Sequence, residues 1–211
     1  ANFERATIKG VSKFGLARFK NLANFRRVAF EGRADFTQVT FQARAYFTNS
    51  EFQGEAHFYQ GVFHELASFL NAKFRSRVTF AGATFNGLAD LEAEFHGIAS
   101  FAAIRLRDEA FFGKASFQEE ANFHGMHCDD LLRIDQATFK HPSDEAVACR
   151  IAQVAYSRFG DEDKAAEYYL RKKRAETRAS QGLEKLWGSL LDWLSEYGEN
   201  PKRVIWRSIQ L

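Results

Sequence analysis

Several residue types are scarce in this 211-residue chain. Two cysteines, Cys128 and Cys149, cannot build a disulfide framework, and they suit a reducing compartment. No apolar run is long enough to cross a bilayer, and no signal peptide is present. Charge is nearly balanced, with 29 basic and 27 acidic residues, so nothing global attracts nucleic acid or a strongly acidic partner. There are three Trp and one Met. There is no phosphate loop, nucleophile elbow or paired-carboxylate arrangement. The chain is therefore expected not to be an enzyme and to need no cofactor or metal. It opens in mid-repeat at Ala1-Asn2-Phe3 and ends on IWRSIQL, which reads as an excerpt of a longer polypeptide.

What the chain has in excess is phenylalanine, 23 in all. They recur at Phe36, Phe41, Phe47, Phe52, Phe58, Phe63, Phe69, Phe74, Phe80 and Phe85, in steps of alternately five and six. The period is eleven, and Ala, Val, Ser or Gly stands two places before nearly every Phe. The pattern starts at Phe3 and ends at Phe139, with Ile8, Leu91, Leu106, Cys128 and Ile134 in Phe slots. One step, Leu91 to Phe95, is four where five is due, which reads as a one-residue deletion at a corner.

An eleven-residue period also suits a helical hendecad. At about 100° per residue, however, two Phe five apart lie about 140° apart, and the apolar groups would ring the axis. Short strands fit better: Phe and the small residue two before it share one side, and the residue between them points out. Gly54, Asn71, Gly82, Asn86 and Gly87 then mark corners, as tight turns need. Strand plus corner, repeated, winds into a solenoid. Four sides make a 22-residue coil, so residue n stacks on n+22, or on n+21 across the deletion. One outward column then reads Thr7, Ala29, Glu51, Lys73, Glu94, Ser116, Thr138, and another Arg18, Thr40, Val62, Thr84, Arg105. Roughly six coils at about 4.8 Å each extend about 30 Å.

The units ANF, ADF and ATF resemble the pentapeptide-repeat family over about two thirds of the chain. The centre is Phe rather than mostly Leu, and every second unit has six residues, which is similar to a Phe-rich subgroup. The resemblance implies a right-handed quadrilateral β-helix. It also carries an alternative function, since some members are DNA-mimicking topoisomerase inhibitors. Such a mimic needs a strongly negative rod, whereas residues 1–139 hold 16 acidic and 16 basic residues.

After residue 140 the pattern becomes helical. Ser143 is expected to cap a helix with an apolar stripe of Val147, Ile151 and Val154. Gly160 ends it, and Asp161 caps a second helix carrying the basic run Arg171 to Arg174. Residues 141–181 are expected to form a helical hairpin that caps the solenoid of residues 1–140. In residues 182–211, Leu183, Leu186, Trp187, Leu190, Leu191 and Leu194 form one face flanked by Trp193 and Tyr197. Lys202, Arg203 and Arg207 then alternate with Val204, Ile205, Trp206 and Ile209, as a cytoplasmic membrane boundary requires. The segment YGENPKRVIWRS is similar to one that precedes ion-channel-like membrane regions in pentapeptide-repeat proteins; the pore signature itself is absent.

The expected function is thus a non-catalytic interaction or scaffold module, the cytoplasmic part of a membrane protein at the membrane's inner face. Its partners are a protein yet to be identified and, through the C-terminal region, a membrane. Nucleic acid is not expected, and homo-oligomerisation is left open. Membrane-interface candidates are Trp187, Trp193, Lys202, Arg203, Trp206 and Arg207. A metal at His124, His127, Cys128, Asp129 and Asp130 is not expected, because in the repeat register Cys128 faces in and His127 out.

Overall fold

The computed structural model describes residues 1–180, 183–195 and 197. The chain divides into two units, Ala1–Lys140 and His141–Leu211.

In the first unit, two-residue strands run from Thr7–Ile8 to Thr138–Phe139. They form one seven-stranded and three six-stranded parallel sheets, each strand pairing with the fourth one before and after it. Four faces per turn make this a quadrilateral β-helix of about six coils. The register follows the sequence spacing. Ala56 pairs with Val78, 22 residues on, but Lys73 pairs with Glu94 and Thr84 with Arg105, 21 on. Beyond the deletion Glu94 pairs with Ser116, and the step of 22 returns.

All ten phenylalanines of the central series are buried to within 1 %. Leu91, Leu106 and Ile134 fill Phe slots equally deeply, and Cys128 is 6 % exposed. Rings of successive coils stack face to face: Phe36–Phe58 and Phe58–Phe80 are both 4.9 Å apart, inclined by 4° and 6°. The coil spacing imposes this parallel stacking. The neighbouring column adds the edge-to-face geometry that aromatic pairs also favour. Phe47 and Phe69 meet the Phe58 ring edge-on at 5.4 and 5.2 Å, near 85°. Parallel stacks that interlock by edges let one residue type fill the whole core.

The two step lengths correspond to two corner types. In every five-residue step from Phe3 to Phe80, the second residue after Phe has φ near +60°: Arg5, Leu16, Arg27, Gln38, Asn49, Gln60, Asn71 and Gly82. The corner closes as a β-turn, with the Gly61 amide donating to the Phe58 carbonyl at 3.1 Å. This corrects the expected role of the corner glycines. Of the three glycines named, Gly54, Gly82 and Gly87, only Gly82 has positive φ, and of the two asparagines only Asn71 does. Gly54 stands in a six-residue corner, and a Cβ there would sit 2.6 Å from the Gly32 carbonyl carbon of the preceding coil. Close stacking of backbone on backbone, not backbone twist, demands glycine at that position.

The second unit contains α1 (Pro142–Arg158), α2 (Glu162–Ala179) and α3 (Leu183–Ser195). Asp161 caps α2 as its sequence suggests, accepting from the Lys164 amide at 3.0 Å. Ser143 does not cap α1. Pro142 already occupies the first turn and His141 takes the cap position without a side-chain bond. The stripe is also displaced: α1 buries Ala148, Ala152 and Ala155 with Cys149 and Tyr156, while Val154 is 54 % exposed. Tyr156 of α1 meets Tyr168 of α2 at 5.4 Å, and α2 itself buries Ala165, Tyr168 and Ala175.

A carboxylate clamps this antiparallel pair. Glu145, its side chain 9 % exposed, accepts from Arg171 Nε at 2.7 Å and from Arg178 at 2.6 Å. Glu145→Gln leaves two guanidinium groups facing a neutral amide. With Arg178 half-exposed, water recovers part of the loss, and the expected cost is about 1–3 kcal/mol. Thermal melts followed by far-UV circular dichroism test this; an unchanged helical transition would disprove the clamp.

Candidate interaction surfaces

With the Phe slots turned inward, the outward columns form the exposed faces of the solenoid. On the sheet that begins at Thr7, these columns form a charged ladder. Lys73 Nζ lies 3.2 Å from Glu94, and Arg75 Nε donates to Glu51 at 2.7 Å. His96 lies 3.1 Å from Glu94 and 2.8 Å from Gln118. Burial raises the Glu94 carboxyl, but the hydrogen bonds from Lys73 and His96 outweigh it and hold the pKa below its ordinary value. The sequence places Lys73 between two glutamates; the structure commits it to Glu94 and gives Glu51 to Arg75. The face that carries Arg18, Thr40, Val62, Thr84 and Arg105 continues to His127.

A third face is partly sunk. Thr48, Ser68 and Asp90 are linked by side-chain bonds of 3.2 and 3.0 Å, with Ser68 Oγ donating to Asp90. Burial raises the Asp90 pKa above the usual carboxylate value despite the bonds from Ser68 and the Glu92 amide. A folded-state pKa above the unfolded one means that the fold prefers the protonated acid. That contribution is present at low pH and is lost as pH rises through the folded-state pKa. Asp90→Asn is therefore expected to raise the urea midpoint near neutral pH. The difference should shrink below about pH 4, where Asp itself takes up a proton. A variant less stable than wild type at neutral pH would contradict this.

The outward surface has a polarity that the balanced total conceals. Residues 1–50 carry nine Lys or Arg and three Asp or Glu, whereas residues 85–139 carry four and ten. Stacking the coils in chain order puts the first group on the early coils and the second on the late ones. The early end is cationic and the late end anionic. Dividing the repeat by coils before counting charge would have exposed this from the sequence.

Cys128 faces inward and its Sγ lies 3.0 Å from the Asp130 carbonyl oxygen, whereas His127 is outward beside Asp129 at 2.8 Å. Among the described residues, no three His, Cys, Asp or Glu side chains gather to hold an ion. Burial pushes the Cys149 thiol up to about 12, far from a reactive thiolate at neutral pH.

Of the membrane-interface candidates, Trp187 and Trp193 lie on α3, 63 % and 44 % exposed. Lys202, Arg203, Trp206 and Arg207 lie outside the described residues. Among the described residues, no helix is long and apolar enough to cross a membrane. The α3 helix rests on α2 by its polar side. A Cβ on Gly188 would come within 2.4 Å of Thr177 Oγ1. Asp192 accepts from Arg174 Nε through both carboxylate oxygens, at 3.0 and 3.1 Å, and the Tyr197 hydroxyl lies 2.5 Å from Thr177 Oγ1.

A family model described as pentapeptide repeats (9 copies) matches residues 3–51, 14–61 and 47–93. This segment consists of pentapeptide repeats. The pentapeptide register continues past residue 93 in the structure, through the shortened corner to Phe139. No curated protein matches the chain significantly, and no solved structure does so. A pentapeptide-repeat solenoid is generally non-enzymatic.

Proposed function

We propose that this chain is a non-catalytic interaction and scaffold module of the Phe-rich kind of pentapeptide-repeat protein, held at the inner face of a membrane as the cytoplasmic part of an ion-channel-like protein. The observation that carries the interaction role is the division of labour in the repeat. The core slots are mostly Phe and buried, while the outward columns vary from coil to coil and are largely polar, as recognition requires. A partner would read the ladder of Glu51, Lys73, Arg75, Glu94 and His96, or the cationic early coils. Membrane attachment is supported by the basic and aromatic composition of residues 202–207 and by the exposed tryptophans of α3.

Flotation of the purified chain with anionic vesicles tests the attachment. Co-flotation at low salt is the expected result, and protein that stays at the bottom of the gradient removes the membrane from the reading. The alternative, a DNA mimic acting on a topoisomerase, demands a uniformly negative rod, and the early coils are positive. Inhibition of gyrase supercoiling by the purified chain would reverse that ranking.

A further inference from the structure

A surface helix of a globular unit normally packs by its apolar stripe and turns its polar side to water. The α3 helix does the reverse. Gly188 and Asp192 sit on the side that meets α2, against Thr177 and Arg174. At about 100° per residue, Leu186, Trp187 and Leu190 fall on the opposite side. There they stand 67, 63 and 40 % exposed. Close contact at Gly188 and a two-oxygen ion pair at Asp192 fix which side faces the protein, so the apolar side is presented outward by construction.

We propose that the Leu186–Trp187–Leu190 face lies flat on an anionic lipid surface, in the plane of the interface, with α2 on the side away from the lipid. This rests on the membrane attachment proposed above and names the element that makes the contact. Three observations select lipid over other occupants. First, a 13-residue helix is about 20 Å long, too short to cross a hydrocarbon core of about 30 Å, so its apolar side serves the interface and not a span. Second, the exposed apolar side chains of this single face offer on the order of 500 Å², well under the ~800 Å² per partner that a stable protein pair needs. A second copy would not be held by this face alone, whereas an interfacial helix is stabilised by partial burial of such a face with headgroup attraction added. Third, residues 200–211 contain Lys202, Arg203 and Arg207 and no Asp or Glu, a charge complementary to anionic headgroups. Trp187 suits the headgroup level, its ring apolar and its indole N–H able to reach water or a headgroup oxygen.

The test is flotation of the full chain, wild type against the triple variant L186S/W187S/L190S. The vesicles are equal parts phosphatidylglycerol and phosphatidylcholine, with pure phosphatidylcholine in parallel. The three side chains are exposed, and circular dichroism verifies that the variant stays folded. The wild type should float with the anionic vesicles and the variant should partition at least tenfold less, with weaker binding of both to the neutral vesicles. A variant that floats as well as wild type overturns the inference and leaves membrane attachment standing. A wild type that ignores both vesicles takes down the attachment as well. A wild-type dimer in solution that the triple variant converts to monomer would assign the face to a second copy and overturn the inference.

Discussion

Phe58→Ala should cost the solenoid about 3–5 kcal/mol, the cost of an aromatic side chain deleted from a core that cannot close over the gap. The Phe58 ring is fully buried, stacked on Phe36 and Phe80 and met edge-on by Phe47, Phe52 and Phe69. The coils above and below are hydrogen-bonded to this one, with the Phe58 amide donating to Thr79 O at 2.7 Å and the Phe36 amide to His57 O at 2.7 Å. They cannot collapse inward without breaking the parallel ladder, so the cavity persists. Phe58→Leu should cost under about 1.5 kcal/mol, because Leu91 and Leu106 already occupy equivalent slots at full burial. Phe14→Ala should also cost less, since Phe14 in the first coil is only half-buried. Urea unfolding of the three variants checks the order. Equal costs for Phe58→Ala and Phe14→Ala would refute the interlocked core.

The second large effect comes from the smallest residue. Gly54→Ala should destabilise by about 2–3 kcal/mol, in the range of overpacking. Its Cβ would stand 2.6 Å from the Gly32 carbonyl carbon, 2.7 Å from the carbonyl oxygen and 2.8 Å from the Arg33 nitrogen, all backbone atoms that cannot rotate aside. The contrast is Gly15→Ala, where the nearest atom to the new Cβ is the Thr37 carbonyl oxygen at 3.5 Å, an ordinary contact. That substitution should be close to neutral. If both behave alike, the close approach of coils at Gly54 is not what the position requires. A helical or loop glycine of the same composition would show no such difference.

The solenoid was legible in the sequence to an unusual depth, and the reason is physical. In a repeat fold each coil contacts only its neighbours, so the pairing partner of a residue is found by counting along the chain. The spacing of Phe therefore located the columns, the pairing of Lys73 with Glu94, and the shift from 22 to 21 at residues 91–95. What counting could not yield was the role of an individual corner. Gly82 and Gly54 each stand two places after a Phe, in a five- and a six-residue step, and the spacing does not say that the first supplies a positive φ and the second a close backbone approach.

The helical unit was less legible because its contacts do not repeat. Helical spacing singled out Val147, Ile151 and Val154 on α1, but the buried side is the row Ala148, Ala152 and Ala155 with Cys149 and Tyr156. The Glu145 clamp joins residues 26 and 33 positions apart, and no local pattern announces it. The amphipathic character of α3 was plain from its leucines, and its direction was not. A stripe of Leu and Trp says only that a helix has an apolar side. The sequence by itself determined the period, the strand columns, the inward phenylalanines and their register, because these follow from spacing and side-chain alternation along a one-dimensional stack. The tertiary structure alone decided which corner glycines are steric, which side of α1 is buried and which side of α3 is presented outward, because each depends on how closely a distant part of the chain comes to rest.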